Sequence, residues 1–511
     1  MPSLSSGRCL LLALMTVPAI LRAQDVVAPR QLSLSQALEL AKRNSPTYRQ
    51  NLNDADVAAA NVREAKGALT PSLGTSAGLS YTGSGRSTFG GSFFNQASPT
   101  VSSNYSLDAS WRLSARTFMG PSQARAQERA TDATIDAAGV NLRFDVTTQY
   151  LAALRAASIV EVAEQQVKRN KDFFVLAKAR YDVGQTNLLD VRQAEVTKSR
   201  ADVQLLQARK SLAEAKIELL RRMGMKSGED VATIELTETF TPVEPTYDLA
   251  QLRAMAQVQN PTVIAAAATH DAASIGVRAA KSDYLPTLAL STGLSGFTQQ
   301  FTNESALLNN RLSSAVATRG NCEFQNDILR RLTEPHPAPG GGIIADCNTF
   351  AGLDGTGAEL QPDIADAIRA NNSVFPFNFT RQPWSVRLSV SLPIWDGFSR
   401  SRNVSVARAQ EDDAREQIRA RQLDVDLQVH YGVLGVRTAW DASLIQDTNR
   451  AAALSQLQLA QDRYRLGLGS FLEVADAQQA VTQAEADRIA AIYDYHLAVV
   501  ALEYAVGRPL R

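Results

Sequence analysis

The chain has 511 residues and carries 52 basic and 52 acidic side chains, so its formal net charge is zero. A zero net charge argues against nucleic-acid binding, which usually needs a basic surface. The four histidines are scattered, and the sequence has no zinc-protease spacing or phosphate loop, so we predict no enzyme activity, no metal site and no cofactor.

The first 23 residues have the pattern of a secretory signal peptide: Arg8 is positive, Leu10–Leu21 is mostly apolar, and Ala23 is a small residue at a plausible cleavage position. A retained N-terminal anchor helix is the alternative. No later stretch offers about 18 continuous apolar residues, so we predict no transmembrane helix. Cys322 and Cys347 are the only cysteines after this leader, and in an exported chain such a pair indicates one disulfide.

Each half of the remaining chain opens with two helices. Ser33–Arg43 is predicted as a short helix, and Ser45 then caps a second helix that starts at Pro46 and runs to about Gly67. The pair Asn260-Pro261 repeats this pattern in the second half.

The apolar pattern then changes to strict alternation. Leu73–Tyr81 and Tyr105–Leu113 alternate apolar with small or polar side chains, and so do Leu288–Leu294 and Trp384–Ile394. Alternation indicates β-strands, and about ten residues is the length that a tilted membrane strand needs. The alternative is a soluble sandwich, but such a fold rarely sets only four strands among hundreds of helical residues.

Long stretches rich in Ala, Gln, Arg and Glu follow the strands. We predict one helix over Pro121–Asp182 and another over Ser399–Arg465, each about 90–100 Å long at about 1.5 Å per residue. A shorter helix follows each of them, over Leu188–Met223 and Phe471–Val506.

The turns between long and short helices carry the same motif twice. Arg180–Glu195 reads RYDVGQTNLLDVRQAE, and Arg463–Gln478, 283 positions later, reads RYRLGLGSFLEVADAQ. Gly184 and Gly467 supply the permissive backbone that each turn needs. We therefore predict two helical hairpins whose tips are the two copies of the motif.

Matching Pro-Thr pairs, strand entries and final glycines extend this repetition along the chain. The first structural repeat is predicted over residues 24–240, with a β-hairpin at about 71–114 and a helical hairpin at about 121–223.

The second structural repeat is predicted over residues 241–511, with a β-hairpin at about 286–395 and a helical hairpin at about 399–506. This copy is longer by about 68 residues. We place the gain in a Gly-, Asn- and Pro-rich extracellular insert over residues 297–383.

Four strands in one chain cannot close a barrel, and an open sheet edge is not tolerated in lipid. Closure therefore needs several copies. Two copies would give eight strands with an interior filled by side chains, whereas three copies would give twelve. We therefore predict a homotrimer.

These features resemble the TolC family of outer-membrane efflux channels over essentially all of the mature sequence. The resemblance rests on both Arg-Tyr-x-x-Gly-x-x-x-x-Leu-[Asp/Glu]-Val-x-x-Ala motifs, on LPIWDG at Leu392–Gly397 and on LSLSQALELAKRNSP at Leu32–Pro46. It implies a mainly α fold with β, in which a trimeric 12-stranded outer-membrane β-barrel continues into a long α-helical coiled-coil barrel in the periplasm. The insert departs from the short loops of the family.

The resemblance also implies a function: a passive conduit in the cell outer membrane that exports small molecules. It would receive them from the periplasm or from an inner-membrane pump through a periplasmic adaptor (membrane fusion) protein. The alternative is the outer-membrane component of a type I protein secretion system, which would share the same tube. A surface fibre with a barrel anchor or a periplasmic enzyme fits the motifs less well.

The family places acidic side chains at the pore constriction, and Glu473 and Asp476 lie three residues apart on one helical face after the second turn. Six such carboxylates in a trimer would attract cations, and ordinary solvated acids are the alternative. Tyr181 and Tyr464 are either packing residues or donors of a latch. In the latch, Asp190 would accept a hydrogen bond from Tyr464 on a neighbouring hairpin and hold the mouth shut.

The tips are also the expected contact with the adaptor, and this prediction covers five residues: Arg180, Gly184, Arg463, Leu466 and Gly467. In the insert, a bond between Cys322 and Cys347 would close a loop of about 26 residues, which is worth roughly 3 kcal/mol in the chain-entropy model.

Overall fold

The structure is a computed structural model that describes residues 30–89, 92–226, 231–332 and 343–510. The predicted signal peptide over residues 1–23 lies outside the described residues. Along the chain the elements are β1 (Gln31–Leu32), α1 (Leu34–Asn44), α2 (Pro46–Gly67), β2 (Ser72–Thr82), β3 (Gly85–Phe89), β4 (Ser92–Ala97), β5 (Thr100–Leu113), α3 (Ala115–Asp182), α4 (Leu188–Arg222), β6 (Glu235–Leu236), α5 (Leu249–Gln259), α6 (Pro261–Ser282), β7 (Thr287–Phe301), α7 (Glu304–Arg331), α8 (Cys347–Ala351), α9 (Pro362–Asn372), β8 (Thr380–Arg381), β9 (Ser385–Ser391), α10 (Ser399–Arg465) and α11 (Phe471–Val506).

The helices of the two halves match in order and in length. α1 and α5 have 11 residues each, and α2 and α6 have 22 each. α3 and α10 have 68 and 67 residues, and α4 and α11 have 35 and 36. This correspondence supports the interpretation of the chain as two structural repeats.

The described residues form two compact units that cut across the repeats. One unit comprises residues 30–62, 123–277 and 405–510 and is helical apart from the short pair β1 and β6. The other comprises residues 63–122 and 278–404 and carries the main sheet and the insert.

In the helical unit, a glycine after each hairpin lies against the junction of two short helices. Gly224, at φ 73°, follows α4, and a Cβ there would stand 2.3 Å from the carbonyl oxygen of Asn44, where α1 meets α2. Gly507, at φ 87°, follows α11, and its Cβ would stand 2.7 Å from the ring of Pro261, the first residue of α6. Both positions require glycine, because the backbone is left-handed and no space remains for a side chain.

α3 runs antiparallel to α11 along a seam of polar contacts between the two hairpins. Three hydrogen bonds mark this seam away from the tips: Arg155 Nη1 to Asp494 Oδ1 at 3.1 Å, Ser158 Oγ to Tyr493 Oη at 3.2 Å, and Tyr504 Oη to Asn141 Oδ1 at 2.7 Å. The side chains at these positions are partly exposed, so each contact adds little stability but sets the register of the helices.

α11 is the one helix among the described residues that is long and apolar enough to cross a membrane on length and composition alone, whereas the sequence predicted none. Its apolar side chains pack in the interior of the helical unit, where Val474, Val481 and Leu502 are fully buried. Core helices satisfy the same two criteria, so this finding is weak evidence for a transmembrane helix.

The main sheet is antiparallel and runs β2, β5, β7, after which β8 and β9 both pair with the remaining edge of β7. β9 ends at Ser391, earlier than the strand end predicted at Ile394. A separate two-stranded pair, β3 with β4, lies between β2 and β5 along the chain, and the sequence patterns did not predict it.

The register of the main sheet separates apolar from polar side chains. Leu73 faces Ala109, Leu107 faces Leu294, and Leu290 faces Leu388 across neighbouring strands. We call the side that carries these residues the apolar face, and its side chains are largely exposed, as at Leu73 (78 %) and Val390 (68 %). The opposite side is rich in serine, with hydroxyl pairs 2.7–2.9 Å apart across β2 and β5.

The insert differs from the prediction in extent and in content. β7 continues to Phe301, so the insert starts after that residue rather than at 297, and it folds into α7, α8 and α9. Cys322 and Cys347 are joined in a disulfide, with their Cα atoms 5.7 Å apart. Beside them the buried side chain of Asn326 bonds the backbone of Ile344 in both directions, at 2.9 and 3.0 Å.

The first helical hairpin also begins earlier than predicted. α3 starts at Ala115 rather than Pro121, because the Ser114 hydroxyl caps it by accepting from the Thr117 N–H at 3.1 Å. Pro121 therefore lies inside the helix.

Candidate functional site at the hairpin tips

Both copies of the motif form the same turn. Gly184 and Gly467 adopt φ 74° and 75°, and their N–H groups donate to the carbonyl oxygens of Tyr181 and Tyr464 at 2.9 and 3.1 Å. The next helix is capped by Asn187 in the first hairpin and by Ser470 in the second. The two tips are therefore equivalent in backbone, as the repeated sequence predicts.

The two motif tyrosines, in contrast, have different surroundings. Tyr181 is 41 % exposed, whereas Tyr464 is 3 % exposed. Tyr464 belongs to a cluster of buried apolar side chains, in which the ring of Phe173 from α3 lies 5.3 Å from the rings of both Tyr464 and Phe471. Tyr464 is therefore a packing residue between the two hairpins, and Tyr181 is not.

Arg180 joins the first hairpin to the second. Its Nη1 donates to the carbonyl oxygen of Tyr464, and its guanidinium carbon lies 4.7 Å from the centre of the Tyr464 ring. For Arg463, the equivalent residue of the second motif, the polar contacts among the described residues lie within its own hairpin: it donates to Leu468 O at 3.3 Å and lies 3.8 Å from Glu473. Arg180 is thus half-buried between hairpins, whereas Arg463 is exposed.

Asp190 lies near Tyr464, on the neighbouring hairpin of the same chain. It accepts a hydrogen bond from the Thr186 hydroxyl, and its N–H is capped by Asn187. The Tyr464 hydroxyl is buried and has no partner in full hydrogen-bond geometry within the described part of the chain, although the Thr186 side chain is near enough to influence its pKa. Burial raises the pKa of Tyr464, the nearby Asp190 charge raises it further, and Thr186 and Arg180 lower it.

Glu473 and Asp476 occupy the first turns of α11 and are both exposed. The residues between and beside them on the other face, Val474 and Ala477, are fully buried in the tip cluster. The two carboxylates therefore point away from the packed seam, on one side of the helix.

The remaining predicted tip residues are exposed. No atom lies within 4 Å of a Cβ built at Gly184, and Leu466 is 74 % exposed. A Cβ at Gly467 would come no closer than 4.0 Å to Arg180. Around the two turns other apolar side chains are also exposed: Val183, Leu189, Leu468 and Leu472.

Two features of this site lie outside the residues predicted from the sequence. Gln478 is 3 % exposed, and both polar atoms of its amide lack a hydrogen-bond partner among the residues that the structure describes. Further along the seam, Arg169 of α3 donates to Thr482 at 3.3 Å and to Glu485 at 3.2 Å, while Arg450 lies 3.9 Å from the same Glu485. The signal for Gln478 was present, because it falls on the same helical face as Val474 and Val481.

Three solved structures show the same fold at low sequence identity. The CmeC outer membrane channel of Campylobacter jejuni gives a TM-score of 0.66 at 14% identity, covering 93% of this chain and 85% of that chain. The outer membrane protein VceC of Vibrio cholerae gives 0.64 at 16%, covering 94% and 97%. The MtrE outer membrane channel of Neisseria gonorrhoeae gives 0.64 at 17%, covering 94% and 89%.

Sequence comparison identifies more specific relatives. The outer membrane protein TolC of Escherichia coli K12 is 27% identical over 271 residues, a match that spans about half of each protein, 52% of this chain and 52% of TolC. A family model described as outer membrane efflux protein matches residues 37–225 and 350–508, which include both tip motifs. Since those two segments make up more than half of its length, the chain belongs to the outer membrane efflux protein family and is a protein of the outer membrane.

Proposed function

We propose that the protein is a passive channel, assembled from three copies, that carries small molecules across the outer membrane and out of the cell. The observation that supports this most is the main sheet, which has an exposed apolar face and two free edges in a single chain. Among the described residues β2 pairs only with β5, and β9 pairs only with β7. In lipid such edges must be paired, and a second copy of the chain offers the complementary edge.

The number of copies follows from the width of the resulting barrel. Each chain contributes four long strands, so two copies would give eight strands and three would give twelve. An eight-stranded barrel is filled by its own side chains, whereas a twelve-stranded barrel leaves space for passage. We therefore infer a homotrimer, as the sequence predicted.

The two faces of the sheet fit this arrangement. The apolar face would contact lipid, and the serine-rich face would line the interior with hydroxyl groups. A polar interior suits a water-filled passage, since small solutes cross it without losing their hydration. In this arrangement the helical hairpins extend into the periplasm.

The hairpin tips would form the periplasmic entrance. Five exposed apolar side chains surround the two turns: Val183, Leu189, Leu466, Leu468 and Leu472. Such a patch is typical of a protein contact. We propose that a periplasmic adaptor protein binds there and delivers substrates from an inner-membrane pump, with Gly184, Gly467, Arg463 and Leu466 at the contact.

Glu473 and Asp476 would form a ring of six carboxylates at the entrance. Two carboxylates about 6 Å apart repel by about 3 kcal/mol at an effective dielectric constant of about 20, so the ring would favour cations. Changing both residues to Ala should therefore reduce the cation selectivity of the channel, measured as the reversal potential in a salt gradient. The control is Glu195→Ala, at an exposed acid of the first hairpin. Unchanged selectivity in the double variant would contradict this role.

The trimer can be tested by cross-linking its predicted contact between copies. Single cysteines placed along Gly74–Leu79 of β2 are combined with single cysteines along Arg387–Ser391 of β9 in one chain. We expect disulfide-linked dimers and trimers at one strand register, and conductance of the purified protein in planar bilayers. A monomer that makes no pore and forms no cross-link would refute the proposal.

Nothing in the described residues favours the predicted alternative, protein secretion, over small-molecule efflux. The two functions would share the same tube. Comparing the drug sensitivity of a deletion strain with its loss of exported proteins separates them, and retained drug resistance together with a missing exported protein would support secretion.

A further inference from the structure

The insert returns to the main sheet through a segment that lies on the apolar face. We call this segment, Asn372–Phe379, the collar. The Asn372 side chain pairs with the backbone of Phe301 in both directions, each at 2.9 Å, at the end of β7. One step further, the N–H of Phe375 donates to Gln300 Oε1 at 3.0 Å.

The collar buries polar groups of the two central strands. Ser103 of β5 is 3 % exposed, and its hydroxyl donates to the carbonyl oxygen of Pro376 at 2.6 Å and lies 2.7 Å from the hydroxyl of Thr298. The ring of Phe379 packs edge-on against Tyr105 at 4.8 Å. These contacts hold the collar against the surface of the sheet, so the collar is not a free loop.

The collar begins where the row of apolar side chains on this face ends. From the row of Leu113 and Leu288 to the row of Tyr105 and Gly296, the strands rise by eight residues. At about 3.4 Å per residue and a tilt of about 40°, this rise is about 20 Å, close to the ~25 Å height of the lipid-facing band of membrane barrels. The collar therefore lies at the boundary of that band, at the strand ends away from α2, α3, α6 and α10.

Two side chains at this boundary point outward and suit a lipid interface. Phe377 of the collar is 81 % exposed. Arg381 of β8 is opposite Gly296, so it lies on the apolar face, and it is exposed with no ion pair among the residues that the structure describes. Exposed aromatic rings and basic side chains are the residues that anchor proteins at the level of lipid headgroups.

We propose that the collar anchors the insert to the outer leaflet of the membrane, with Phe377 in the interface and Arg381 on the anionic phosphate of a lipid headgroup. A neighbouring copy of the chain is a poorer occupant, because the collar covers β5 and β7, the interior strands, whereas copies would join at β2 and β9. The inference rests on the proposed function in one respect, since it uses the apolar face as the surface that contacts lipid.

The first test measures the depth of Phe377. The variant Phe377→Cys is labelled with a polarity-sensitive fluorophore and reconstituted into phosphatidylcholine vesicles that contain headgroup-nitroxide lipid. The control is Phe350→Cys, at an exposed position in α8 of the same insert. We expect the label at 377 to be quenched several times more strongly than the label at 350. Equal quenching would overturn the anchor, and protection of 377 from both lipid and aqueous quenchers would assign the collar to a protein partner instead.

The second test addresses the headgroup. Adding phosphatidylglycerol to the vesicles should increase the quenching at 377, and Arg381→Gln should remove most of that increase. Inorganic phosphate should not compete at millimolar concentration; competition would mean a free anion site and would overturn the lipid assignment. Conductance is recorded on the same vesicles. Normal conductance without quenching overturns only the anchor, whereas absent conductance of the unsubstituted protein counts against the proposed function.

Discussion

Replacing Arg180 tests whether the first hairpin holds the second in place at the tip. The variant Arg180→Met keeps the aliphatic part of the side chain but removes its hydrogen bond to Tyr464 O and its contact with the Tyr464 ring, 4.7 Å away. A hydrogen bond from a charged group contributes about 1.5–3 kcal/mol, and a partly buried cation–π contact about 0.5–2 kcal/mol. Since Arg180 is only half-buried, we expect a loss of about 2–4 kcal/mol, which is roughly a 30- to 700-fold shift toward separated hairpins.

Single-channel recording in planar bilayers measures this shift as the fraction of time spent open. The matched control is Arg463→Met, which removes the same side chain from the second copy of the motif, where its polar contacts in the described part of the chain are to its own hairpin. We expect a large rise in open time for Arg180→Met and little change for Arg463→Met. If the two variants behave alike, the inter-hairpin contact of Arg180 does not hold the tip closed, and the reasoning from its geometry is wrong.

Three further predictions concern stability. Gln478→Leu should raise the free energy of unfolding of the helical unit by about 1–3 kcal/mol, because it removes a buried amide that has no hydrogen-bond partner among the described residues. Glu195→Leu, at the equivalent exposed position of the first hairpin, should change this free energy little. Burial raises the pKa of Tyr150 to about 12, so the stability that its protonated hydroxyl gives the folded state is complete below about pH 10 and is lost as the pH rises toward 12. Tyr150→Phe should therefore make the free energy of unfolding depend less on pH in that window. Replacing Cys322 and Cys347 by Ser should destabilise the insert by about 3 kcal/mol, seen as faster proteolysis there and unchanged helical content elsewhere.

Local sequence rules predicted most of the helical boundaries. α2 begins at Pro46, and α10 and α11 have the predicted bounds. Proline marks the start of α2, a glycine turn follows the end of α10, and a capping serine stands just before the start of α11. The rule is wrong at α3, for which it predicts Pro121 as the first residue. Ser114 caps a helix that starts six residues earlier, at Ala115, and that cap together with the following turns outweighs the hydrogen bond that proline cannot make. The predicted family and the outer-membrane location are both confirmed.

The tip residues show where sequence reasoning stops. Two identical Arg-Tyr pairs predict two equivalent turns, and the backbone confirms this, but the pattern does not say which pair faces the other hairpin. That difference depends on tertiary packing of Phe173 between Tyr464 and Phe471. The structure of the insert is harder still to predict from the sequence. Its glycine and proline content obscured α7, and its contact with β5 joins residues more than 250 positions apart in sequence.

The glycine joints, which are the close contacts of Gly224 and Gly507 with the junctions of the short helices, limit how the length of the helical hairpins can change. Each joint places the residue after α4 or α11 against the junction of two short helices, where a Cβ atom would stand less than 3 Å from neighbouring atoms and has no space. A residue added to α4 alone would pull its joint off Asn44, so a matching addition must occur in α3. Paired additions to both helices of a hairpin, made in both repeats at once, would lengthen the hairpins and preserve the two glycine joints. A single insertion or deletion in one of these helices would break the joint of its hairpin.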